Sequence, residues 1–213
     1  MSQPLLIFDL DGTISDPAVG IGRSINYALA AFGYPEVNER QVSQYIGPPI
    51  DAAFRQIARS ATDDEVLGMV ARYRERYGEI GYSENVVYAG IPEALEYLAS
   101  ERVLMGVCTS KRVDFAERIL ERLGLRKHFV VVSGGDVGIT KEDQLRKLLE
   151  EGVASHRSTM IGDRTVDMLA ARAHKLRSVG VLWGHGSMEE LLGVAPDRIF
   201  ESPVELRELA KPV

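Results

Sequence analysis

Apolar residues fall along this chain in two patterns, short continuous runs and longer stretches at helical spacing. The runs are Leu5-Leu6-Ile7-Phe8, Val103–Cys108, Phe129-Val130-Val131-Val132, Ser158–Ile161 and Ser178–Leu182. Runs of this length bounded by turn residues predict strands buried on both faces. Between them, Pro92–Ser100, Arg112–Leu123, Lys141–Glu151 and Val166–Ala173 read as helices, with Gly124 and Gly152 as stops. Strands alternating with helices predict an α/β fold built on a parallel sheet with right-handed crossovers.

One interval breaks the alternation. From residue 16 to residue 83 only helices are predicted. Asp16-Pro17 reads as an N-cap followed by a first-turn proline, with a helix running on to Gly33. Asn38 with Gln41, and Thr62 with Glu65, have capping-box spacing. The second box opens a stripe of Val66, Met69, Val70, Tyr73, Tyr77 and Ile80, which Gly81 ends. The expected organisation is a core of residues 1–15 and 84–213, interrupted by a helical domain at 16–83. Ser187 with Glu190, and Ser202-Pro203 with Glu205, predict two short helices near the end of the chain.

Composition narrows the partners. The net charge is −6 and no Lys/Arg-rich run occurs, which argues against nucleic acid. No apolar stretch approaches the roughly 18 residues of a membrane span, and no basic leader precedes the first strand, so a cytoplasmic protein is expected. Cys108 is the single cysteine and lies in an apolar run, so it reads as core, with no disulfide framework. The sequence does not speak to oligomeric state.

The chemistry sits where the apolar runs end. The first run stops in Asp9-Leu10-Asp11-Gly12-Thr13, two carboxylates two residues apart followed by a glycine and a hydroxyl. An ordinary strand running into an Asp-Gly turn looks the same. The second run ends in Thr109-Ser110-Lys111, and the fourth in Gly162-Asp163-Arg164-Thr165-Val166-Asp167. Lys141 opens the helix after a Gly-rich stretch at 133–138. Open α/β sheets bind ligands beyond the carboxyl ends of their strands. Gathered there, these residues supply carboxylates for a divalent cation, and a lysine, hydroxyls and N–H groups for phosphoryl oxygens.

In order and rough spacing, Asp9-x-Asp11-Gly12-Thr13, Thr109, Lys141 and Gly162-Asp163-x-x-x-Asp167 resemble the four motifs of the haloacid dehalogenase superfamily. The helical insertion directly after the first motif resembles the C1-type cap of its phosphoglycolate-phosphatase-like branch. So does the segment Tyr45-Ile46-Gly47-Pro48-Pro49-Ile50. The third motif departs from the frequent Lys-Pro-x-Pro, with Lys141-Glu142-Asp143 lacking prolines. The resemblance implies a Rossmann-like parallel core with an all-helical cap. It implies a Mg²⁺-dependent phosphatase acting on a small phosphorylated metabolite through an aspartyl-phosphate. Asp9 would be the nucleophile and Asp11 the acid and base. Asp9, Asp163, Asp167 and the main-chain carbonyl of Asp11 would hold Mg²⁺. Thr109, Lys141 and the N–H groups of Leu10 and Ser110 would hold phosphate, and Gly47 and Pro48 of the cap would select substrate. Within the family, a 5′-nucleotidase, a pyrophosphatase or a sugar phosphomutase stays open. Outside it, a receiver domain bearing a phospho-aspartate does.

Overall fold

The structure, a computed structural model, describes residues 3–136 and 138–210. In chain order the elements begin with β1 (Leu6–Phe8), β2 (Ser15–Asp16), α1 (Ala18–Ala31), α2 (Glu39–Val42), α3 (Ile50–Ile57), α4 (Asp63–Glu79) and β3 (Val86–Val87). They continue with α5 (Ile91–Ser100), β4 (Met105–Thr109), α6 (Val113–Arg122), β5 (Phe129–Gly134), α7 (Lys141–Glu150) and β6 (Thr159–Gly162). The last are α8 (Thr165–Ala173), β7 (Arg177–Val181), α9 (Met188–Leu192) and β8 (Arg198–Phe200), followed by 3₁₀ turns over Pro203–Ala210. Two compact units result, Met1–Ser15 with Val87–Val213, and Asp16–Val86.

In the larger unit six strands form one sheet in the order β5-β4-β1-β6-β7-β8, every pairing parallel. The apolar runs explain the middle of it, since every residue of β1, β4 and β6 is buried. The chain adds β4 and β5 on one side of β1, then crosses over to lay β6 on the other. That reversal of direction opens a crevice at the carboxyl ends of the central strands. Register then decides what meets there. Phe8 lies opposite both Val107 and Ile161, and the Asp9 N–H donates to the Ile161 carbonyl at 2.8 Å. The residues after Phe8 therefore emerge between the ends of β4 and β6.

Two features differ from the sequence reading here. A sixth strand, β8, extends the sheet beyond β7, and Pro203–Ala210 winds as 3₁₀ turns rather than as an α-helix. With three residues and an exposed arginine, β8 carries too little apolar signal to stand out. Cys108 is fully buried as expected, and burial pushes its thiol up to about 12, so it stays an inert core group.

The smaller unit is helical apart from the short ends of β2 and β3, which pair as a two-stranded ladder that the sequence reading did not include. Both capping boxes close, Asn38 with Gln41 and Thr62 with Glu65. At α1 the proline is the N-cap rather than the first helical residue, and Asp16 Oδ1 accepts from the Ala18 N–H at 2.9 Å. The stripe of α4 is core from Val66 to Tyr77, whereas Ile80, past the helix end, is exposed. Tyr73 stacks on Tyr77 with ring centroids 5.3 Å apart, and Phe54 meets Tyr73 edge-on at 6.4 Å. Arg23 pairs with Glu84 at 2.7 Å and Arg55 with Asp63 at 2.6 Å, so both cations are engaged within this unit. Gly47, at φ 106°, takes the left-handed turn that carries the chain past Tyr45 into Pro48 and α3.

Candidate active site

Asp9 follows β1 directly, and Asp163 follows β6. Asp167 sits in the first turn of α8, and Lys141 opens α7. All four side chains are buried. Oxygen atoms of Asp9, Asp163 and Asp167 lie within 4.8 Å of one another. Lys141 Nζ stands 2.7 Å from Asp9 Oδ2 and also contacts Asp167 Oδ1. A lysine at a helix N-terminus is locally unfavourable, and this one is fixed by carboxylates from two other elements. Burial works against its ammonium, but Asp167 and Asp9 outweigh that cost and hold it charged.

One lysine cannot neutralise three carboxylates. Burial, together with the charge on Asp9, pushes Asp163 up to about 6. Burial pushes Asp167 up to about 7 against the pull of Lys141. Both folded-state values lie above those of an unfolded chain, so the folded protein binds more protons between pH 4 and 7, on the order of the reference values. Its stability, with no metal present, is therefore expected to fall as pH rises through that window. Thermal melts at stepped pH in the presence of a chelator check this. A melting temperature that rises from pH 5 to pH 7.5 would contradict it.

Asp11 has a different setting. Its Oδ2 pairs with Lys111 Nζ at 2.7 Å, while Oδ1 is buried with no hydrogen-bond partner among the described residues. Burial raises the pKa of Asp11 against the opposing charge of Lys111. A carboxyl raised above its ordinary value is better suited to giving and taking a proton than a free one. Its side chain is not among the oxygens clustered around Asp9.

Thr109, the last residue of β4, is buried, and its hydroxyl accepts from the Lys111 N–H at 3.3 Å. The Ser110 side chain is half-buried beside it. The Leu10 N–H donates to Asp9 Oδ1 at 2.7 Å, so here it steadies the carboxylate rather than standing open. Gln144, one turn after Lys141, donates to the Thr109 carbonyl at 3.1 Å and accepts from Ser133 Oγ at 2.9 Å. Gly47 and Pro48 lie in the smaller unit.

Several contacts at this site were not legible in the sequence. The Thr13 hydroxyl reaches Asp163 Oδ1 at 3.4 Å. Trp183 Nε1–H donates to the Thr13 carbonyl at 2.9 Å, and the His185 N–H donates to Asp163 Oδ2 at 2.8 Å. The segment Gly184-His185-Gly186 carries that N–H. It is a turn that wraps Asp163. A Cβ on Gly186 would lie 1.8 Å from the Asp163 carbonyl oxygen, and one on Gly12, at φ +86°, 2.2 Å from Asp163 Oδ2. Gly186→Ala is therefore expected to cost about 1–3 kcal/mol or more, read by urea denaturation. An unchanged midpoint would contradict the close packing.

A family model described as haloacid dehalogenase-like hydrolase matches residues 6–181. The chain belongs to this family. It is 37% identical over 213 residues to a 5′-nucleotidase of Pseudomonas aeruginosa, covering 98% of this chain and 96% of that one. It is 32% identical to a phosphoglycolate phosphatase of Vibrio parahaemolyticus, covering 96% and 95% of the two chains. The crystal structure of a predicted phosphatase from Clostridium acetobutylicum superposes with a TM-score of 0.90 at 32% identity, covering 98% of each chain. With such relatives along its whole length, this member of the haloacid dehalogenase-like family is a phosphoric monoester hydrolase of the phosphoglycolate-phosphatase-like branch. Among the described residues no helix is long and apolar enough to cross a membrane.

Proposed function

We propose that this enzyme is a Mg²⁺-dependent phosphatase that hydrolyses a small phosphorylated metabolite through an aspartyl-phosphate on Asp9. The observation that carries the reading is the buried convergence of three carboxylates and one lysine at the crevice of the sheet. The donor set fits Mg²⁺: all-oxygen ligands, clustered, with an excess of negative charge that a single lysine leaves uncompensated. Asp9, Asp163 and Asp167 would hold the ion, with the Asp11 carbonyl as a further oxygen. When bound, Mg²⁺ would neutralise phosphoryl charge and orient Asp9.

The chain's own groups do the rest. Asp9 forms a bond to phosphorus as the bond to the leaving oxygen breaks. Asp11, whose pKa burial raises, supplies the proton that oxygen needs. Asp11 then takes a proton from the water that attacks phosphorus, and the Asp9 carboxylate is regenerated. Lys141, Thr109 and the N–H of Ser110 receive the phosphoryl oxygens. As that oxygen arrives, the Leu10 N–H can pass to it from Asp9.

For the substrate we favour a compact phosphomonoester such as phosphoglycolate. Nucleoside monophosphates are a second reading, which the likeness to a 5′-nucleotidase supports. The helical unit would act as a cap, with Gly47 and Pro48 selecting among substrates. Exchange of Pro48 is then expected to reorder substrates by kcat/KM without a uniform loss. Phosphate release from phosphoglycolate, nucleoside monophosphates and pyrophosphate, with Mg²⁺ or with chelator, tests the reading. Turnover that needs Mg²⁺ on at least one phosphomonoester supports it, and equal rates in chelator overturn it. The raised carboxyls also set a sign: Mg²⁺ is expected to raise the melting temperature more at pH 8 than at pH 5, because binding must displace protons.

A further inference from the structure

Ser187 and Glu190 have capping-box spacing, yet only half of the box closes. Ser187 Oγ accepts from the Glu190 N–H at 3.1 Å and so fixes the start of α9. In a full box the Glu190 carboxylate would return to the Ser187 N–H. It goes elsewhere. Glu190 Oε1 accepts from the Thr165 N–H at 3.0 Å, from Thr165 Oγ1 at 2.9 Å and from Arg164 Nε at 2.9 Å. A single oxygen of α9 thus gathers three donors from the opening of α8.

The sequence of α8 shows why a donated acceptor is needed. Its N-cap is Arg164, whose guanidinium has no acceptor to offer the open N–H groups of the first turn. The residue at the third helical position that could reach back is Asp167, whose Oδ2 takes the Arg164 N–H at 3.1 Å. Its other oxygen is turned to Lys141. The Thr165 N–H is satisfied from α9. Burial works against the Glu190 charge, but the Thr165 N–H and Arg164 outweigh it and hold the carboxyl below the usual range. The segment so tied, Asp163 to Asp167, carries two of the three clustered carboxylates.

We propose that Glu190 is a positioning residue for the cation site, holding the Asp163–Asp167 segment through the start of α8. This rests on the Mg²⁺ reading above. The test is calorimetric titration of the substrate-free 213-residue chain with Mg²⁺, alongside melting curves. Glu190→Ala is expected to weaken Mg²⁺ binding about 10–100-fold, the range for losing a partner that orients a ligand. Two milder variants separate position from charge and guard against a failure to fold. Glu190→Asp keeps the charge but withdraws the oxygen, so it should bind Mg²⁺ as weakly as Glu190→Ala. Glu190→Gln keeps the accepting oxygen and loses the charge, so its affinity should stay close to wild type.

Glu190→Asp binding like wild type, or Glu190→Gln binding as weakly as Glu190→Ala, would overturn the positioning role. A lower melting temperature with unchanged Mg²⁺ affinity in all three variants would make Glu190 a structural cap alone, and would also overturn it. Wild type that takes up no Mg²⁺ would remove the cation reading itself, an outcome separate from failure at Glu190. Glu189→Ala, an exposed neighbour on the same helix, is the control expected to change nothing.

Discussion

Asp9→Asn is expected to abolish phosphate release from p-nitrophenyl phosphate, by on the order of 10⁴–10⁶-fold, the scale seen when a covalent nucleophile is removed. The amide cannot attack phosphorus and carries no charge for a cation. The fold should survive. Asp9 sits among like charges, with Lys141 shared between it and Asp167. Removing one carboxylate leaves the ammonium a partner and lowers the repulsion around Asp163 and Asp167. Stability at pH 8 in chelator is therefore expected to be no lower than that of the parent. Paired assays of activity and urea denaturation check both halves. Near-parental activity would refute the nucleophile, and a collapse of stability would refute the charge account.

Lys141→Met carries the largest expected effect on stability. It deletes the buried cation that faces Asp9 and Asp167 and leaves the carboxylates uncompensated, a change that costs about 3–5 kcal/mol when a buried pair is broken. The pH dependence follows from the sign of the carboxyl shifts. Without the ammonium, Asp167 rises above its value of about 7 in the parent, since Lys141 is what pulls it down. A carboxyl with a raised folded-state pKa stabilises the folded state in acid and loses that contribution as pH rises. The deficit of Lys141→Met should thus be largest near pH 8 and shrink towards pH 5. Melting curves of both proteins at the two pH values measure it. A deficit independent of pH would show that packing, not charge, is what Lys141 supplies.

The central strands and their acidic ends were legible because both signals are local. Leu5–Phe8 is apolar without a break, and Asp9-x-Asp11-Gly12 follows at once. Lys141 needed no proline motif around it: Thr140 caps α7 by a box with Asp143, whose N–H meets Thr140 Oγ1 at 3.1 Å. What escaped is what only folding assembles. Trp183 meets Thr13 across 170 residues of chain, and His185 meets Asp163 across 22. No spacing rule connects them. Glu190 was visible as a helix-start residue, yet its destination was not, because a capping-box pattern does not show when the carboxylate will serve another helix.

Passage of the phosphoryl group through Asp9, with Asp11 as the base that releases it, has a direct test. Asp11→Asn retains Asp9 and the carboxylate cluster but lacks the group that activates water. Mixed with Mg²⁺ and p-nitrophenyl phosphate, whose leaving group needs no proton, it should release one nitrophenolate per chain in a burst and then stall. Acid quench and peptide mass spectrometry should place the phosphoryl group on Asp9. Steady turnover without a burst, or a phosphoryl group on any other residue, would contradict the account.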